Sequence, residues 1–343
     1  MIIIDAFLRF SAVGLMLFIS VLLLKHVKES RIAFFLLLIN ISTSSHFLGF
    51  TPDFFNLPYP FQLVFRFLDI FQILFIWFLA LSLFEKDFKL SHFHYAVALI
   101  YSLSVLMERL VQFNFIDNLP SWWAWLINGM TLLIIAHMIK TTLTERVDDL
   151  IEARRKSRVY FAVMIAFSAI SVTLFGSILF SQYQATIDVI CIWPAVIWGG
   201  FWVCSVPAKV FNFDVVDAEP IRSLNSQDLD LQKKLATEIS ENKCFLENDL
   251  SIESLANQLG VSSYRLRSFI NKTLGHTNFS TYINSYRIEE IKQAFSNPNN
   301  NHIPILTIAL NHGFNSLSPF NRAFKQIEGI TPKEFRKNLT TYT

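Results

Sequence analysis

The sequence predicts an all-α protein in two parts: a bundle of seven transmembrane helices with its N-terminus outside and its C-terminus inside, then a small soluble domain of two helix-turn-helix units. Three observations lead there. Hydrophobic residues make up 52% of the 343 residues and charged residues only 16%, and this imbalance lies before residue 207. Lys and Arg fall in alternate loops between the apolar runs. A polar segment near the C-terminus repeats one helical pattern twice.

A bilayer-crossing helix needs about 20 mostly apolar residues. Runs of that kind cover 4–24, 32–50, 63–84, 93–113, 122–143, 159–180 and 187–206. Lys25, Lys28 and Arg31 follow the first, Lys86 and Lys89 the third, and Arg146, Arg154, Arg155, Lys156 and Arg158 the fifth. The loops 51–62, 114–121 and 181–186 contain neither Lys nor Arg. Cationic loops stay in the cytoplasm, so each loop agrees with an outside N-terminus. The first run has no basic residue ahead of it and reads as a retained helix, not a cleaved signal. Trp122, Trp123 and Trp125 sit where an interfacial aromatic belt is expected. Pro194, Gly199 and Gly200 could bend the seventh helix.

Ionisable residues in these runs collect in the outer third: Asp5, Arg9, His46, Arg66, Asp69, Glu108, Arg109 and Asp188. Two readings stand. Asp5 with Arg9 and Arg66 with Asp69 can pair on one helix face and neutralise each other. Alternatively His46, Arg66, Asp69 and Asp188 line a polar cavity that binds a small ligand or senses protons. His92 and His94 have poor spacing for a metal, and Cys191, Cys204 and Cys244 form no framework, so neither a metal nor a cofactor is expected and the thiols are read as reduced.

From Pro207 to Ser226 the chain reads as an irregular linker. Residues 228–242 then suit an amphipathic helix with Leu231, Leu235 and Ile239 on one stripe, for packing on the next domain or for a dimer contact.

In "LSIESLANQLGVSSYRLRSFINKTLG" (250–275), Ile252, Leu255, Ala256 and Leu259 form one stripe that stops at Gly260. Ser262 caps a second helix that turns Leu266, Phe269, Ile270 and Thr273 inward and stops at Gly275. "ILTIALNHGFNSLSPFNRAFKQIEG" (305–329) repeats the plan, with Ile305, Ile308 and Ala309, a turn at Gly313, a cap at Asn315, and Leu317, Phe320, Phe324 and Ile327 inward. Gly329 ends that helix, and Thr331, Pro332 and Glu334 start another with a capping box. Two such units joined by a helix over 279–295 suit reading heads on one side of a duplex. At 100° per residue the outward residues are Tyr264, Arg267, Ser268 and Asn271 on the first helix, and Ser318, Arg322 and Lys325 on the second, with Asn321 to one side. These side chains can reach base edges and phosphates, whereas the net charge of +2 carries no bulk argument for nucleic acid.

The tail from about 245 to 339 resembles the DNA-binding domain of the AraC/XylS family of bacterial transcription regulators, through "GFNSLSPFNRAFKQIEGITPKEFR" and through Leu255, Ala256, Gly260, Asn271, Gly275, Phe279, Asn284 and Arg287. The resemblance implies base contacts by Ser263, Tyr264, Arg267, Ser268, Ser318, Asn321 and Arg322. Ile291, where the family usually has Ala, and Tyr264, in place of a frequent Trp, depart from the pattern.

The domains expected are therefore a membrane domain over 1–206, a linker with a short helix over 207–244 and a DNA-binding domain over 245–343. Together they describe a one-component regulator of the bacterial inner membrane. Its partners would be promoter DNA, the lipid bilayer, a second copy in a homodimer, an unidentified ligand or proton, and the transcription machinery. A transporter with a DNA-binding appendage and a constitutive regulator merely tethered to the membrane are the alternatives. No phosphate loop, nucleophile elbow or kinase signature points to an enzyme.

Overall fold

The computed structural model describes residues 2–28, 30–51, 55, 57–85, 88–144, 146–171, 184–205 and 226–341. Among them the chain is helical throughout, apart from short 3₁₀ turns, loops and one isolated antiparallel bridge between Asp149 and Asn278. It divides into two compact units, residues 1–146 with 156–213, and residues 147–155 with 214–343. The nine residues 147–155 thus belong with the C-terminal unit although the chain on both sides of them belongs with the other.

The first unit holds α1 (Ile2–Leu24), α2 (Arg31–Gly49), α3 (Tyr59–Leu68), a 3₁₀ turn (Asp69–Phe71), α4 (Gln72–Phe84), α5 (His92–Gln112) and α6 (Trp122–Thr144). Most of α7 (Glu152–Ser171) and all of α8 (Gln184–Ser205) also belong to it. α4 lies at the centre of its core, where Leu74, Trp77, Leu81, Leu83 and Phe84 pack with Phe35 of α2, Tyr101 of α5 and Ile134 and Met138 of α6. The outer faces are apolar as well: Phe7, Phe93, Trp125, Leu132 and Leu133 are all exposed. Among the described residues, five helical stretches are long and apolar enough to cross a membrane, namely Ile3–Leu24, Arg31–Gly49, Tyr59–Phe84, His92–Gln112 and Trp122–Thr144, and Thr186–Phe201 is a shorter apolar helix. The sixth apolar run is helical as far as Ser171. Its remainder, half of the loop after it and nearly all of the linker after Pro207 lie outside the described residues. Pro194 is accommodated inside α8.

The second unit contains α9 (Ser226–Ser240), α10 (Ile252–Gln258), α11 (Ser263–Lys272), α12 (Phe279–Ser296), α13 (Ile305–Asn311), α14 (Leu317–Glu328) and α15 (Pro332–Thr341). Leu231, Leu235 and Ile239 of α9 are buried against Ile252, Leu255, Leu266 and Phe269, so the amphipathic stripe packs on its own domain. A second core joins Ile288, Ile291 and Phe295 of α12 to Ile308, Phe320 and Phe324. α12 contributes to both cores. Arg287 on it donates to the carbonyl oxygens of Phe245 (2.6 Å) and Glu247 (2.7 Å).

The glycines at the turns have the backbone their positions require: Gly260, Gly275, Gly313 and Gly329 all have positive φ, between 67° and 84°. Such angles are disfavoured for any residue with a Cβ. Ser262 caps α11 as expected, accepting from the Arg265 amide at 3.3 Å, and Thr331 with Glu334 forms the capping box of α15. The cap of α14 is a correction. Ser316, not Asn315, occupies that position, without a side-chain cap bond, because Asn315 Nδ2 instead donates to Asp249 Oδ1 at 3.1 Å. Leu317 and Ile327, expected inward, are 41% and 39% exposed, and Ala323 is buried between them. Thr273 is likewise exposed rather than inward, at the C-terminal cap where the α11 stripe has already ended.

Candidate nucleic-acid interface and polar cluster

α14 presents an open cationic face. Packing of Phe320, Ala323 and Phe324 into the core fixes the helix rotation, which leaves Ser318, Asn321, Arg322 and Lys325 exposed. Arg322, Lys325 and Asn321 line a groove of about 530 Å³, together with Leu317 and, from the start of α15, Thr331, Pro332 and Lys333. Lys333 was not singled out in the sequence; it enters because the tight turn at Gly329 brings the next helix start beside α14. Cations and an amide on one open face can donate to phosphate oxygens and to the acceptor edge of guanine or adenine.

α11 presents a different surface. Tyr264 is 65% exposed, and Ser263, Ser268 and Asn271 are half-buried. Asn271 does not point freely outward, because its Nδ2 donates to the His276 carbonyl at 2.9 Å and closes the end of the helix. Arg267 departs furthest from the outward projection. It is only 4% exposed, its Nη2 donates to Glu253 Oε1 (2.5 Å) and to the Val147 carbonyl (3.3 Å), and its Nε has no hydrogen-bond partner. Helical rotation alone could not anticipate this, since the covering residue lies 120 positions away in the chain.

That covering segment is held firmly. The Phe279 amide donates to the Asp148 carbonyl at 2.8 Å, the Leu150 amide donates to the Thr277 carbonyl at 3.1 Å, and Ser280 Oγ donates to Asp148 Oδ2 at 2.8 Å. Leu150 is buried in the core beneath α11, and Asp149 is paired with Arg154 at 2.7 Å, both almost wholly buried. Burial pushes the Asp148 carboxyl above its ordinary value, against the opposing effects of the Ser280 hydroxyl and Arg267. Burial also lowers the pKa of His276 and pushes the Cys244 thiol up to about 11, which keeps it protonated and unreactive.

In the first unit the ionisable residues form a cluster of interhelical contacts. Arg9 holds Asp5 in a two-pronged pair at 2.9 and 3.0 Å and donates to the Phe47 carbonyl. Among the described residues Asp69 makes its ion pairs with His46 and Arg109, not with Arg66 as expected. Arg66 Nε donates to the Gly49 carbonyl at 2.7 Å, and its guanidinium lies over the Phe50 ring. The 3₁₀ turn beginning at Asp69 places that carboxylate instead between His46 Nδ1 (3.1 Å) and Arg109 Nη2 (3.3 Å). His46 Nε2 lies 3.9 Å from Asp188 Oδ2, so one imidazole sits between two carboxylates from different parts of the chain. Asp69 Oδ1, Asp188 Oδ1 and Arg109 Nε are buried without hydrogen-bond partners. Of the four residues expected to line a cavity, three meet around His46, Arg66 stands to one side, and Arg109 joins them. Among the described residues there is no cluster of three or more His, Cys, Asp or Glu suited to a metal ion.

Comparison with known proteins bears on the second unit. A model of a helix-turn-helix domain matches residues 255–338. The multiple antibiotic resistance protein MarA of Escherichia coli is 33% identical over 91 residues, which are 26% of this chain and 68% of MarA. The probable transcription factor PqrA of Proteus vulgaris is 31% identical over 111 residues, covering 32% of this chain and 84% of PqrA. An HTH-type transcriptional regulator of Staphylococcus aureus is 35% identical over 95 residues, 28% of this chain and 12% of that protein. No solved structure matches the chain.

Proposed function

The chain belongs to the AraC/XylS family of transcription regulators through its C-terminal domain, and from that membership we propose that it is a membrane-integral one-component regulator. On this reading seven helices lie in the bacterial inner membrane with the N-terminus outside, and the DNA-binding domain is in the cytoplasm. Residues 1–206 are the sensing domain, 207–244 the connection and 245–343 the reading domain. The observation that carries the reading is one chain in which Asn321, Arg322, Lys325 and Lys333 surround an open groove while, among the described residues, five helical stretches are long and apolar enough to span a bilayer. Ser263, Tyr264, Ser268, Ser318, Asn321 and Arg322 read bases, Lys325 contacts phosphate, Asn271 fixes the end of its helix, and Arg267 reads once uncovered.

The signal enters at His46, Asp69, Asp188 and Arg109, with Arg66 beside them. A buried carboxylate oxygen without a donor is costly, so a ligand cation or a proton there is stabilising, and it can shift helix packing if it binds one arrangement better than the other. The output is a changed affinity for promoter DNA, as a homodimer, that alters access of the transcription machinery.

The test is made on the full-length protein in lipid nanodiscs. Selection from a random-sequence duplex pool should enrich a defined site, and binding should weaken steeply with salt as phosphate contacts release counterions. Reporter fusions after residues 55, 90, 117, 150, 183 and 215 should alternate between outside and inside. Asp69→Asn and His46→Gln should change promoter output in cells; unchanged output from both would leave the membrane domain an inert tether.

A further inference from the structure

Residues 147–155 lie between the fifth and sixth apolar runs, yet they are built into the DNA-binding unit. Their attachment has the features of a docked ligand. Two main-chain hydrogen bonds pair them with Thr277 and Phe279, as an added strand would, and Leu150 fills a core position as the apolar anchor. Asp148 is bound through its side chain by Ser280. The same segment closes over Arg267, the one strongly cationic residue expected on the reading face of α11. The buried Arg267 Nε has no acceptor, so this guanidinium is only partly compensated where it lies. Phosphate or a guanine edge would give it more acceptors than the segment does.

We propose that the surface formed by Arg267, Thr277, Phe279 and Ser280 is the docking site of the chain's own Val147–Arg155 segment, and that DNA and this segment compete for the first reading helix. The segment is joined to the other unit at both ends, at Arg146 after α6 and at Lys156 within α7. A change in the packing of those helices pulls on it directly. This supplies a second covalent route for a signal, separate from the connection after residue 206. Docked, the segment restricts reading to α14; released, it frees Arg267 and both helices read. The inference rests on the DNA-reading role proposed above.

The experiment uses full-length protein in nanodiscs carrying Leu150→Cys, with a water-soluble maleimide and labelling read by mass spectrometry at that position. The DNA probe is the duplex enriched by the protein from a random pool. Expected is slow labelling without DNA, because position 150 is 2% exposed, and labelling at least about tenfold faster with saturating duplex. Equal rates with and without the enriched duplex overturn the competition while leaving DNA binding intact; a pool that yields no enriched duplex removes the DNA-reading premise and the competition with it. Ser280→Ala provides a second measure in a helix that tolerates Ala. Loss of the bond to Asp148 loosens the segment, so the variant should bind the duplex up to about tenfold more tightly than the parent. Equal or weaker binding by Ser280→Ala counts against the proposal.

Discussion

The two helix-turn-helix units share one plan and differ in what lies over the reading helix. Both place an apolar stripe inward, both turn at a glycine with positive φ, and both are braced by α12. On α14 the cations stand open around a groove; on α11 the corresponding cation is covered and held by Glu253 and Val147. The lesson is that a helix's own pattern fixes which residues face away from its core, but not whether that face reaches solvent. A remote segment that docks on it answers the second question.

Changes at matched positions should break or sharpen this contrast, starting with the turns. Gly313 and Gly260 both have positive φ, 84° and 67°, but a Cβ at Gly313 would stand 2.8 Å from both Arg287 Nε and the Phe245 carbonyl, whereas nothing lies within 4 Å at Gly260. Gly313→Ala should therefore destabilise the domain by about 2–5 kcal/mol, combining the left-handed penalty with overpacking, and Gly260→Ala by only about 1–2 kcal/mol. Peptide-resolved hydrogen exchange of residues 245–341 measures both. Equal effects at the two glycines would mean that Arg287 yields without cost.

The residues proposed to read bases come next. Arg322→Ala should cost about 1–3 kcal/mol of binding at particular base positions, measured on single-base variants of the enriched duplex. Arg267→Ala should cost less in the same assay, because the segment must leave before that side chain contributes. A uniform loss for Arg322→Ala across all sequences would demote it to a phosphate contact. The caps give a smaller difference. Ser262→Ala should lower stability by about 1 kcal/mol, since its hydroxyl accepts the Arg265 amide, while Ser316→Ala should change it by a few tenths at most. Thermal melts of the two variants decide this.

Acidification should produce the smallest effect, confined to the first half. Burial lowers the His276 pKa from its ordinary 6.5, so the unfolded chain takes up the proton more readily than the folded one. Stability is therefore unchanged above about pH 6.5 and declines as pH falls below it. Protection from exchange at the end of α11, taken relative to the intrinsic rate at each pH, should fall between pH 6.5 and 5, and His276→Gln should remove that fall.

Much of this contrast was legible in the sequence. The glycine stops, the Ser262 cap, the Thr331 box and the stripe on α9 are local signals, written within a few residues of the structure they produce. Asn315 misled because two adjacent residues can both cap, and the choice fell to a partner 66 positions away, Asp249. The segment around Asp148 was invisible for the same reason on a larger scale. "RVDDLIEARR" (146–155) reads as a charged loop with little apolar content, and nothing in it names Thr277 or Ser280. In the polar cluster the ionisable residues were identifiable one by one. Their pairing was not, because a 3₁₀ turn redirected Asp69 from its neighbour Arg66 to His46 and Arg109.

Leu150 has one more implication, for anyone who would cut this protein in two. A fragment starting after the last apolar helix would leave behind a side chain that fills the floor beneath α11, together with the main-chain partners of Thr277 O and Phe279 N. Such a fragment would carry a notch in its interior and an orphaned stretch of backbone. The DNA-binding half is therefore not a detachable tail but a body threaded through by two separate passes of the chain.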